Sequence, residues 1–149
     1  MTEDPRITLE KIYSEQQMTE SNLSILQQRT EMVQVYITNY RSGLLVLEEI
    51  ENRKAGEEML MNVGGSIFVE AKLVNTDKVT RGIGNGIRIE QNVSEAKTAI
   101  LKAVTSLESQ YEALTQEYQR LFAHASRLNT QFQQLATLVQ GAAPPAEEE

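Results

Sequence analysis

The sequence predicts a mainly α protein with a small β segment. Two long helices form an antiparallel coiled-coil hairpin, joined by two β-hairpins that assemble into an oligomeric β platform. Three observations predict it. Apolar residues recur every seven positions on both flanks of the chain, the signature of a coiled-coil seam. Six of the eight glycines (Gly56, Gly64, Gly65, Gly82, Gly84 and Gly86) gather between those flanks. Among them Ile67, Val69, Ala71 and Leu73 alternate with Ser66, Phe68, Glu70 and Lys72, a period of two that suits a strand with one buried face.

The first helix is expected over 5–55. Asp4 is its N-cap and Pro5 its first helical position, where a missing N–H costs nothing. Leu9, Gln16, Leu23, Thr30, Ile37 and Leu44 form one heptad set; Ile12, Thr19, Leu26, Val33, Tyr40 and Leu47 form the other. Gln16, Thr19 and Thr30 are polar interruptions that weaken the seam towards the N-terminus. Arg53, Lys54 and then Gly56 read as a C-terminal signal.

The β segment is expected over 58–91, with strands near 58–62, 66–74, 78–83 and 86–90. Val63-Gly64-Gly65 and Gly84-Asn85-Gly86 supply the turns, and Asn75-Thr76-Asp77 links the hairpins. Four short strands bury too little to stand alone, and their open edges invite another chain. Ile67, Phe68, Val69, Ala71, Leu73, Val79, Ile83, Ile87 and Ile89 are the candidate oligomerisation residues, with Met59 and Met61 filling the platform core.

The second helix is expected over 92–140, opened by Asn92 and Glu95 in a capping-box spacing. Ile100, Leu107, Leu114, Leu121, Leu128 and Leu135 recur every seven residues, as do Val104, Tyr111, Tyr118, Ala125, Phe132 and Val139. Residues 141–149 (GAAPPAEEE) are expected to be a disordered acidic tail, and 1–149 to be a single domain. Each helix would be ~65–70 Å long and unstable alone. Folded back on one another, they make facing residue numbers add to a constant near ~144. That sets Leu44 near Ile100, Ile37 near Leu107, Leu23 near Leu121 and Leu9 near Leu135.

Composition excludes several function classes. No tryptophan and 5% aromatic residues leave little for a large compact core. The longest aliphatic run, Leu44 to Leu47, is too short for a membrane, and residues 1–10 form no signal peptide, so a cytoplasmic protein is expected. Zero cysteines exclude disulfides and thiolate metal sites, and a net charge of −7 argues against nucleic acid. Gly82-x-Gly84-x-Gly86 is followed by a strand pattern, not the helix of a dinucleotide loop, so no cofactor is expected. His124, the one histidine, has no Cys, Asp or Glu at ligand spacing and reads as a surface or seam-edge residue. Glu48-Glu49 and Glu57-Glu58 belong to a solvated face, and Asn92-Val93-Ser94 is a sequon without a secretory signal. With no nucleophile–base pair, metal cluster or phosphate loop, the chain is not expected to be an enzyme.

The stretch VGGSIFVEAKLVNTDKVTRGIGNGIRIEQNVSEA (63–96) resembles the prefoldin family, in its archaeal α-subunit type. Gly64-Gly65-Ser66, Ala71-Lys72-Leu73, Lys78-Val79, Gly84-Asn85-Gly86 and Ile87-Arg88-Ile89-Glu90 carry the match, and a linker long enough for two hairpins is the α-type arrangement. The resemblance implies an α2β4 hexamer with prefoldin β subunits, built on a double β-barrel with six coiled-coil arms. Its arm tips hold non-native polypeptides without ATP and pass them to a group II chaperonin. In the hairpin register the tips are the two chain ends. Candidate client-gripping residues are therefore Ile7, Leu9, Ile12, Tyr13, Leu128, Phe132, Leu135, Leu138 and Val139. The rival reading is a structural adaptor, a coiled-coil hairpin that gathers folded partners through a β hub.

Overall fold

The computed structural model describes residues 4–142. They run α1 (Pro5–Glu51), β1 (Glu58–Gly64), β2 (Ile67–Lys72), β3 (Lys78–Gly84), β4 (Ile87–Asn92) and α2 (Val93–Gly141). Beyond Gly141 and Ala142, the expected acidic tail lies outside the described residues. No helix is long and apolar enough to cross a membrane among the described residues.

Asp4 starts α1 as its sequence position predicts: Oδ1 accepts the Arg6 N–H at 3.0 Å and the carbonyl accepts the Thr8 N–H at 3.1 Å. The helix ends at Glu51, short of 55. The reason is local. The Asn52 and Arg53 amides donate to Glu49 and Ile50, three residues back, which tightens the last turn. Arg53 is then held by Glu49 at 2.5 Å and Glu57 at 3.7 Å, and Gly56 at φ +88° turns the chain into β1.

The two hairpins repeat one plan. β1 pairs antiparallel with β2 and β3 with β4, as two separate two-stranded sheets. Shifted by twenty residues, one ladder overlays the other: Glu58↔Lys72 becomes Lys78↔Asn92, and Gly64↔Ile67 becomes Gly84↔Ile87. Each carries a bulge one residue before its turn, between Asn62 and Gly64 and between Gly82 and Gly84. Each turn then holds three successive left-handed residues: Gly64, Gly65 and Ser66 in one, Gly84, Asn85 and Gly86 in the other. Two-residue loops of this kind match the right-handed twist of the flanking strands. The link between hairpins is an Asx turn, with Asn75 Oδ1 accepting the amides of Asp77 at 2.8 Å and Lys78 at 3.2 Å.

The described chain divides into two compact units, each containing a segment of both helices. The central unit, Gln34–Ser109, contains the hairpins. Its core is Leu47, Val93 and Ala96, with Ile50, Val79 and Ile100 packed against it. Ala96 is 1% exposed, so its small side chain is what lets the helices meet closely there. Lys97 Nζ reaches Glu51 at 2.9 Å and Arg41 pairs with Glu108. The hydrogen bond to Glu51 raises the Lys97 pKa against partial burial, and that to Glu49 raises Arg53. Val93, at the start of α2, donates its N–H to the Asp77 carbonyl at 2.9 Å.

The terminal unit is Met1–Val33 with Gln110–Glu149. Ile12, Thr19 and Leu26 of α1 and Leu128 of α2 are its buried seam. Each aliphatic member contributes about 1.5–3 kcal/mol by leaving water. In both units the helices run antiparallel. Gly43 faces Ile100 and Tyr13 faces Phe132, each within about a residue of the expected constant. Nearly all heptad positions are buried or half-buried. Tyr40 and Tyr111 are the exceptions, at 41% and 37% exposure.

Candidate functional site

Two surfaces stand out, one in each unit. The first is the pair of hairpins. Period-two alternation places Met59, Met61, Ile67, Val69 and Ala71 on one face of the first hairpin, since Met61 pairs with Val69 and Met59 with Ala71. Burial along this face is graded. Ala71 and Leu73, near the helices, are half-buried, while Ile67 is 59% exposed; Phe68, on the opposite face, is 57% exposed. Val69, Ile83 and Ile87 are also exposed, and Ile89 is half-buried. Val79 packs on the Leu47–Val93–Ala96 core instead, so its side chain is engaged within the chain. Leu60 and Val63 are exposed apolar residues that the candidate set does not include, and Met61, expected to fill the platform core, is 48% exposed within this chain. Strand alternation put Leu60 opposite the Ile67 face, and the bulge at Val63 breaks the alternation altogether.

The second hairpin differs in chemistry. Its counterpart of Phe68 is Arg88 and its counterpart of Met61 is Arg81. Arg81 Nε donates to Gln91 Oε1 at 2.8 Å on one face, and Lys78 pairs with Glu90 at 3.3 Å. Gly84 and Gly86 belong to its turn, and Gly82 to the strand leading into it, with strand on either side.

The second surface is the end of the terminal unit where the start of α1 lies against the end of α2. Tyr13 and Phe132 meet across the helices with ring centroids 6.3 Å apart. Such a contact adds ~0.5–1.5 kcal/mol to area burial. An apolar recess lies over Leu9, Tyr13 and Phe132, and a second cleft is lined by Pro5, Arg6, Leu138 and Val139. The nine candidate residues divide by exposure. Ile12 and Leu128 are buried in the seam; Leu9, Phe132, Leu135 and Val139 are half-buried. Ile7, Tyr13 and Leu138 are exposed, Leu138 at 67%. The heptad pattern separates the exposed three, which lie outside both seam sets, from the other six, but not the buried seam residues from the half-buried ones.

His124 is better partnered than its sequence surroundings suggest. Its Nε2 lies 2.8 Å from Glu15 Oε1 on α1. No acidic residue stands at ligand spacing along the chain, but each of the two directly precedes a seam residue, Ala125 and Gln16. That shared flanking position was the available signal. Among the described residues no group of three or more His, Cys, Asp or Glu side chains could hold a metal ion.

The chain was compared with known proteins. A family model described as Prefoldin subunit matches residues 19–138. The prefoldin subunit alpha of Archaeoglobus fulgidus is 29% identical over 112 residues, covering 75% of this chain and 82% of the relative. That of Methanobrevibacter smithii is 29% identical over 117 residues, covering 78% and 80%. Among solved structures, a filamentous PFD from Methanocaldococcus jannaschii superposes with a TM-score of 0.64 at 23% identity, over 77% of this chain and 95% of that one. The prefoldin beta subunit from Thermococcus strain KS-1 gives 0.56 at 16% identity, over 85% and 90%. Both likenesses speak for a shared fold.

Proposed function

This chain belongs to the prefoldin family, and on that premise we propose that it is an α-type subunit of a hexameric, ATP-independent chaperone. In this reading two copies join four prefoldin β subunits, and the hairpins of all six close a β-barrel platform. The paired helices form arms whose ends capture non-native polypeptides in the cytoplasm and deliver them to a group II chaperonin. The named relatives, prefoldin α subunits over most of their length, support the subunit assignment.

One observation carries the capture step. Ile7, Tyr13 and Leu138 stand exposed at the end of the terminal unit where both helices run out. Exposed apolar side chains beside a weakened seam suit a binding surface for unfolded chains. Thr19, 4% exposed, puts a hydroxyl in that seam where an aliphatic group would grip, so the end separates at lower cost. Several such ends acting together would supply avidity without a specific pocket. The exposed Ile67, Phe68 and Val69 support the platform, because open strand edges with apolar faces pair readily.

The test is light scattering of a denatured, aggregating protein, without ATP, in the presence of the chain assembled with its co-purified partners. Suppression by the native assembly, lost when Ile7, Tyr13 and Leu138 are all replaced by Ser, is the expected result. An intact assembly that suppresses nothing, yet binds one folded partner stoichiometrically, would replace the chaperone reading with the adaptor. Equal suppression by both forms would move the client site away from the helix ends.

A further inference from the structure

A groove lies between the paired helices of the terminal unit, near Val33 and Gln110 where that unit ends. Gln27, Thr30 and Glu31 of α1 and Tyr111, Thr115 and Tyr118 of α2 line it, and its volume is about 220 Å³. The cause is a local failure of the heptad. Thr30 occupies a seam position where Leu or Ile would fill the space, and its hydroxyl is turned back onto the Leu26 carbonyl at 2.8 Å. Across the seam the register sets Leu114 opposite Thr30, and Tyr111 and Tyr118, about one turn to either side, line the groove. Tyr111 is 37% exposed, and Tyr118 stacks on Phe122, ring centroids 6.3 Å apart at 15°. Phe122 is 56% exposed and so extends the aromatic floor outward.

Size and charge narrow the occupant. The groove is below the ~300 Å³ at which small-molecule pockets begin, and it is open, so it suits one inserted side chain. Glu31 is the only charged residue among the six lining it. Its Oε1 accepts from the neutral Gln27 amide at 3.1 Å. Tyrosine faces beside a carboxylate attract a cation twice over, by the ring quadrupole and by charge.

We propose that this groove binds a segment of a non-native polypeptide in which an apolar side chain is followed by Arg or Lys. The apolar group enters over Thr30 and between the tyrosines. The cation rests against a tyrosine face and Glu31. The segment is held in a chain of net charge −7, which favours basic clients. This site rests on the client-capture reading above and adds a chemical preference that exposed apolar ends alone would lack.

The test uses the full chain in its native assembly and fluorescent Gly/Ser peptides carrying one central pair: Leu-Arg, Leu-Glu or Ser-Arg. The expected result is Leu-Arg binding tighter than either other peptide by about tenfold, with the preference abolished by Thr30→Leu and by Glu31→Gln. Thr30→Leu restores the heptad, so its thermal midpoint should rise and loss of binding cannot be loss of fold. Glu31→Gln provides a second variant at an exposed position. Equal binding of Leu-Arg and Leu-Glu, or a preference untouched by Thr30→Leu, overturns the proposal. An assembly that keeps the peptide preference but fails to hold a denatured protein supports the groove and overturns the function proposed above.

Discussion

His124 Nε2 stands 2.8 Å from Oε1 of Glu15, joining the two helices of the terminal unit across 109 positions of sequence. Both side chains are substantially exposed, so the pair is worth little in water. A double-mutant cycle on Glu15→Gln and His124→Gln should give a coupling of about 0.2–1 kcal/mol, smaller at high salt. A coupling indistinguishable from zero at low salt would mean that the two side chains do not act together.

Gly43 lies inside α1, about two turns before its end, where glycine costs helix stability. A methyl group there would sit 4.0 Å from Ile100 Cδ1, an ordinary van der Waals distance. Gly43→Ala should therefore stabilise the chain by ~0.5–1 kcal/mol, read as a rise in thermal midpoint. A fall would show that Ile100 cannot tolerate the added contact.

Ser66 takes φ 59° at the tip of the first hairpin, where its counterpart in the second is Gly86. Left-handed backbone costs an L residue roughly 1–2 kcal/mol, and glycine is spared this. Ser66→Gly should raise stability by up to about 1 kcal/mol, while Gly84→Ala, at φ +109°, should lower it. Chemical denaturation of the assembled protein compares the two, and the reverse order would contradict the turn assignment.

Lys97 carries a pKa raised first by its hydrogen bond to Glu51. A base whose folded-state pKa is raised stabilises the fold fully below its unfolded value and loses that contribution as pH rises through the folded value. The difference in thermal midpoint between the native chain and Lys97→Met should thus be constant near neutrality and shrink in the alkaline range. A difference that persists unchanged above the lysine range would assign the effect to the packing of the side chain's methylenes.

Ile67 and Val69 share an exposed strand face. Replacing both with Asp should lower the sedimenting mass of the assembly while leaving helical circular dichroism largely intact, because neither contributes to the Leu47–Val93–Ala96 core. An unchanged mass would remove this face from the assembly interface.

Much of the fold was legible along the chain because its signals are periodic. Seven-residue recurrence identified both helices, and the antiparallel register followed from requiring two stripes to meet. Alternation and glycine position located four strands to within a few residues. The end of α1 falls before the expected 55, because the chain tightens into three-residue turns at Asn52 and Arg53, ahead of Gly56. Among the candidate end residues, the heptad distinguishes Leu128, a seam position 3% exposed, from Leu138, which lies off the seam and is 67% exposed; the depth of each seam residue was not legible.

By itself the sequence determined what local energetics and repetition encode: two helices with one apolar stripe each, a glycine-punctuated β segment between them, and no membrane-spanning run. Only the tertiary structure decided which distant residues meet. It brought Glu15 to His124, turned Val79 inward onto the helix core, and opened a groove that Thr30 lines together with Tyr111 and Tyr118. The physical reason is that stripe formation depends on neighbours three, four and seven residues away. The depth of a side chain in the seam, and the space left beside it, depend on the size and charge of a partner on the other helix.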